Sequence, residues 1–136
     1  MRRIAAILAL CVLPSTANAV SEESLRIYSN ICFNVEAGDA LGVRIGVIQL
    51  GNAPYAFLQW SEGYPEENPK MSEVSATDFK HGKLVFSVLR DKDLITFRGT
   101  MTAKSLTGSF SPKWPGDPKV FHLRRVAPQQ KFPDCV

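Results

Sequence analysis

The sequence predicts an all-β domain, most economically a small closed antiparallel barrel of about eight strands joined up and down, with a two-sheet β-sandwich as the alternative. Three observations carry this. From Leu25 onward the apolar residues recur with period two, not 3.6. Turn-forming clusters (GDALG, GNAP, KHG, RDKD and PGDP) separate the runs at short intervals. Folding neighbouring runs about those turns brings their apolar residues onto one shared face.

The first nineteen of the 136 residues, MRRIAAILALCVLPSTANA, read as a secretory signal rather than as a strand. Arg2 and Arg3 precede an apolar run from Ile4 to Leu13, and Ala17-Asn18-Ala19 forms a small-x-small cleavage site. The run is too short to span a bilayer, so no membrane anchor is expected. Cleavage leaves residues 20–136, 117 residues expected to form one barrel domain. Losing Arg2 and Arg3 lowers the basic count from 16 to 14 against 13 acids, so the net charge falls from +3 to +1. No basic stripe remains in the sequence to suggest a nucleic-acid partner. Cys11 leaves with the signal, and the even pair Cys32 and Cys135 reads as a disulfide of a periplasmic or secreted chain.

In the first strand Leu25, Ile27, Ile31, Phe33 and Val35 alternate with Arg26, Tyr28, Asn30, Cys32 and Asn34, which predicts the apolar set inward and Cys32 outward. Further strands are predicted at about 43–50, 55–61, 72–78, 83–89, 94–102, 106–111 and 119–126. A four-residue GNAP loop sets Val47 against Leu58 and Ile45 against Trp60. A three-residue KHG loop with a left-handed Gly82 adds Val74 and Ala76 to the inner face. The RDKD turn pairs Phe86 with Phe97, Val88 with Ile95 and Leu84 with Gly99. In LITFRGTMTAKSLTGSF, residues 94–110, a turn centred on Ala103-Lys104 pairs Phe97 with Phe110, Gly99 with Gly108 and Met101 with Leu106. Two glycines facing each other inside an apolar strand pair predict a sharply coiled barrel corner, covered by Trp60 or Phe86. So many large inward residues predict a filled interior.

This strand pattern resembles the calycin-type barrels, the group of lipocalins, avidins and fatty-acid-binding proteins. The likeness covers the whole strand pattern and is one of architecture. It implies an up-and-down barrel.

In such a meander alternate connections share an end. One end gathers the longer loops, with Glu36, Asp39, Glu62, Glu66, Glu67, Asp91, Asp93 and Asp117 against Lys70, Arg90, Lys92, Lys113 and Lys119. Tyr64 and Trp114 are its aromatic anchors. The other end carries Lys80, Lys83 and Lys104 near Arg124 and Arg125. The expected binding residues are therefore Glu62, Tyr64, Glu66, Glu67, Asp91, Asp93, Trp114 and Asp117. The expected role is that of an exported, non-enzymatic binding protein, an inhibitor or immunity factor that engages a basic protein. A carrier of a small apolar ligand inside the barrel is the alternative, and a hydrolase using two rim carboxylates is a third reading. His81 and His122 have no triad or metal-ligand spacing around them, so no catalytic residue, metal or other cofactor is expected. Ile48, Leu50, Tyr55 and Phe57 fall together on the outer face. They predict either cover by the C-terminal segment around Phe132 or a homodimer contact.

Overall fold

Period-two alternation lets one face of each strand turn to a common core, and here the sheet curls until its ends meet. The computed structural model describes residues 25–51, 53–65, 70–78 and 81–136, with the backbone alone at 64, 65, 73 and 75–78. The strands are β1 (Leu25–Ser29), β2 (Cys32–Asn34), β3 (Asp39–Leu50), β4 (Ala53–Pro65), β5 (Lys70–Asp78), β6 (Lys83–Arg90), β7 (Asp93–Met101), β8 (Ser105–Ser111) and β9 (Phe121–Val126). Their order is β1-β9-β8-β7-β6-β5-β4-β3-β2, and β1 also pairs with β3, so the ring closes. All named pairings are antiparallel. β1 and β2 keep one register against β3, from Leu25↔Ile48 to Asn34↔Asp39. They form a single stave interrupted at Asn30 and Ile31, which makes this an eight-stave barrel. The predicted signal lies outside the described residues.

The core is one cluster, and most of it was predicted. Ile45, Val47, Leu58, Leu84, Phe86, Val88, Ile95, Phe97, Met101, Leu106, Phe110, Phe121 and Leu123 are all buried in it, with Trp60 partly buried against it. The first strand departs from expectation. Tyr28, predicted outward, is fully buried in the cluster, and its hydroxyl donates to the Thr102 carbonyl at 2.9 Å. A tyrosine enters a core readily when its polar tip finds an acceptor at the far end. Ile31 is buried outside that cluster, Phe33 is half-buried and Val35 is exposed in the turn before β3.

The strand pair β7–β8 has the predicted register, with Phe97↔Phe110, Gly99↔Gly108 and Met101↔Leu106. The cover over the two glycines is Phe97 itself, not Trp60 or Phe86. A Cβ on Gly108 would stand 2.5 Å from the Phe97 ring and 2.5 Å from the Arg98 carbonyl. One on Gly99 would stand 2.6 Å from the same ring and 2.8 Å from the Thr107 carbonyl. Bare backbone is what admits the ring here. The turn that follows needs no left-handed residue, because the Thr102 hydroxyl accepts from the Ser105 and Lys104 N–H groups at 2.9 and 3.2 Å.

Two loops differ from the prediction. At GNAP the pairing of β3 with β4 continues to Leu50↔Ala53, giving Val47↔Ala56, Ile45↔Leu58 and Val43↔Trp60. The shift is two residues, so every face is preserved. The connection from Asp78 to Lys83 is longer than three residues, and a bulge between Val74 and Ala76 shifts the register so that Ala76 pairs with Val85. Val74 stays buried opposite Phe86.

After β9 the chain returns along the wall to β2. Phe33 N–H donates to the Pro133 carbonyl at 2.8 Å, Cys135 N–H donates to the Phe33 carbonyl at 2.9 Å, and Cys32 is disulfide-bonded to Cys135. The bond spans 103 residues, a loop whose closure is worth roughly 4.7 kcal/mol in the chain-entropy model.

Two outcomes test this account. Gly108→Ala should lower stability by about 1–3 kcal/mol in urea unfolding, whereas Ser111→Ala, on an exposed site, should stay within about 0.5 kcal/mol of the parent. A Gly108→Ala protein as stable as the parent would remove the close-approach explanation. Replacing Cys32 and Cys135 together by Ser should cost up to roughly 4.7 kcal/mol; unchanged urea midpoints would refute the stapling role.

Candidate functional site

The mouth of the barrel at the long-loop end is built on the last residues of β4 and β6. Among the described residues β5 pairs with β4 from Tyr55↔Glu73 to Leu58↔Lys70, and β4 runs on to Pro65. A cleft of about 470 Å³ opens there. It is lined by Leu58, Trp60 and Glu62 of β4, by Lys70 of β5, by Leu89 and Arg90 of β6, and by Asp91 and Trp114.

Alternation delivers the side chains. Leu58, Trp60 and Glu62 are successive inward positions of β4, and Phe86, Val88 and Arg90 are successive inward positions of β6. At the top of these columns the apolar core ends and charge begins. The Trp60 ring packs on Phe110 and Phe121, with centroids 5.1 and 5.7 Å away. The Arg90 guanidinium lies 3.7 Å from the Trp60 ring centroid and 4.5 Å from that of Trp114, between two indoles. Glu62 Oε1 accepts from both Arg90 Nη2 and Trp60 Nε1, the latter at 3.0 Å. Asp117 Oδ2 stands 3.6 Å from Arg90 Nη1, and neither of those two buried atoms has a hydrogen-bond partner. The Asp117 N–H donates to the Trp114 carbonyl at 3.1 Å, which ties the loop before β9 into the cluster.

The two carboxylates differ. The Glu62 side chain is 63% exposed, whereas those of Arg90 and Asp117 are 12% and 9% exposed. Burial pushes the Asp117 carboxyl above its ordinary value, against the opposing pull of the Arg90 charge and of a backbone N–H at Trp114.

Of the eight expected binding residues, the structure brings Glu62, Trp114 and Asp117 together about Arg90. Asp91 lines the same cleft from the β6–β7 turn, where its φ is +56°, and Asp93 is exposed opposite Arg90 at the start of β7. Tyr64 lies in β4 with only its backbone described, and Glu66 and Glu67 lie outside the described residues. Arg90, one of the bases expected at this rim, faces both Glu62 and Asp117. From the sequence, Arg90 is expected only as a loop base and Trp60 only as core. The signal for both was present, since Arg90 follows Val88 by two and Glu62 follows Trp60 by two. Leu89 and Leu94, unexpected from the sequence, are cross-strand partners that are 58% and 60% exposed beside Asp91 and Asp93. On the β3–β4 outer wall, Leu50 is exposed and Ile48, Tyr55 and Phe57 are half-buried, with Phe57 lying over Gly46. Phe132 stacks under Arg44 instead of on that patch.

Among the described residues, no group of three or more His, Cys, Asp or Glu side chains is placed to hold a metal ion, and there is no helix. No family model matches this chain, and no curated protein or solved structure is significantly similar to it.

The raised Asp117 pKa fixes a sign. The folded state holds that proton more tightly than the unfolded chain, so Asp117 favours folding as pH falls toward 3.8 and this contribution is lost as pH rises through its folded pKa. Asp117→Asn should therefore compare best with the parent at neutral pH and lose ground on acidification, measured by urea unfolding across that range. A variant that gains on the parent as pH falls would show that Asp117 is held as the anion.

Proposed function

We propose that this chain is an exported, non-enzymatic binding protein that grips a basic protein through the loop-bearing mouth of the barrel, as an inhibitor or immunity factor does. The observation that carries the reading is the fixed assembly about Arg90. One guanidinium between two indoles and two carboxylates holds Trp114 and Glu62 in place before any partner arrives. Pre-ordered aromatic and charged groups bind with less loss of side-chain freedom. The exposed Leu89–Leu94 pair supplies apolar contact beside them, and the exposed Glu62, Asp91 and Asp93 carboxylates supply the charge that would orient a cationic partner.

The other readings have less support. Core aromatics in mutual contact, with Phe86–Phe97 and Phe97–Phe110 centroids 5.5 and 5.1 Å apart, occupy space that an internal apolar ligand would need. Glu62 and Asp117 both face Arg90, which argues against their use as a free acid and base pair. Export rests on the signal-like first nineteen residues and on the Cys32–Cys135 bond, which suits an oxidising compartment.

Affinity capture tests the reading. Immobilised residues 20–136, with the disulfide intact, should retain a basic protein from envelope or host secretions at low salt and release it as salt rises. Trp114→Ala and Glu62→Gln should each weaken retention by about tenfold or more. If nothing basic is retained, or if both variants retain it as well as the parent, the proposal fails.

A further inference from the structure

Away from the mouth, the tail that returns to Cys32 encloses a groove of about 570 Å³ over the seam where β1 meets β9. Its lining includes Arg44, Arg124, Arg125, Lys131 and His122, and Asp134 is the one acidic side chain in that lining. Chain order scatters these cations over β3, β9 and the tail, and closing the barrel gathers them. Among the described residues none of the four Arg and Lys groups forms an ion pair. The Arg44 contacts are a 3.5 Å hydrogen bond from Nη2 to the Gln130 carbonyl and its stack on the Phe132 ring at 4.8 Å. Arg125 Nη1 donates to the Ala103 carbonyl at 3.4 Å.

Arg44 is the informative member. It is half-buried, and its Nε is buried with no hydrogen-bond partner. Burial without a counter-charge also lowers its pKa. A half-buried guanidinium with a buried, unused donor, in a groove lined by further basic residues, lacks an oxyanion. We propose that this groove binds a phosphate ester, with Arg44 and Arg124 as its principal ligands. Guanidinium forks match tetrahedral oxyanions, and several cations together favour a phosphate over a single carboxylate. The groove is larger than an ion, within the range of small-molecule sites, so the phosphate belongs to a larger molecule. Two sources share that chemistry: a soluble phosphorylated compound and the headgroup of an anionic phospholipid. The disulfide and the backbone bonds at Phe33 hold the tail that forms one wall.

Calorimetric titration of the oxidised protein with glycerol 3-phosphate at low salt, alongside flotation with vesicles of phosphatidylglycerol or of phosphatidylcholine, tests this. A soluble source predicts saturable binding of glycerol 3-phosphate. A lipid source predicts flotation with phosphatidylglycerol and not with phosphatidylcholine. In either case Arg44→Gln and Arg124→Gln should each weaken binding by about tenfold or more with the thermal transition unchanged. Arg124 is exposed, so its variant stays informative should Arg44→Gln fold poorly. Absence of binding in both arms, or binding that the Arg124→Gln protein retains in full, overturns the proposal. Trp114→Ala should leave this binding unchanged, which separates the groove from the mouth.

Discussion

A narrow barrel must coil its strands sharply while taking large side chains inside, and Phe97 lying across Gly99 and Gly108 meets both demands at once. With side chains at those positions, either the ring or the β7–β8 pair would have to move, since the atoms in the way include the carbonyls of Arg98 and Thr107. Phe97 then contacts Phe86 on one side and Phe110 on the other, and Phe110 hands the contact on to Phe121 and Trp60. This aromatic chain runs from the middle of the core to the mouth. The geometry of the candidate site therefore begins at two glycines well below it.

At the mouth the same alternation would place one more large inward residue on β6, where the core meets water. Arg90 suits that position because its planar cation stacks on indoles while its edges face carboxylates. The Trp60–Arg90–Trp114 stack lines the inner side of the cleft at the mouth. Glu62 is too exposed for its ion pair to add much stability. Its importance is positional: it holds Arg90, and Arg90 holds Trp114.

How much of this was legible depends on what each feature rests on. Faces were readable, because period two is a property of single strands. Registers were readable only where the turn was. The β7–β8 pair could be placed from its mirrored residues, although the device that holds its turn, a threonine hydroxyl bonded to two backbone N–H groups, leaves a weak trace in sequence. The β3–β4 turn was misread by two residues, yet the core survived because an even slip exchanges no faces. Tyr28 was misread because its burial depends on an acceptor at Thr102, 74 residues away. Arg90 was misjudged because charge was taken as a sign of solvent, when its phase in β6 already pointed it inward.

The mouth and the seam groove depend on different constraints. Everything at the mouth stands on strands and on the loop before β9, so barrel closure alone builds it. The groove needs closure and also a tail held against the wall, and that tail carries little secondary structure beyond the Phe33–Asp134 bridge. A covalent bond at Cys135 compensates for this sparse hydrogen bonding. The same disulfide thus acts twice, through the entropy of the unfolded chain and through the shape of a folded surface. Only the second effect is local. A barrel that tolerates loss of the bond would keep its aromatic chain and its Arg90 assembly, while the cations at the seam would lose the wall that keeps Arg44 from water.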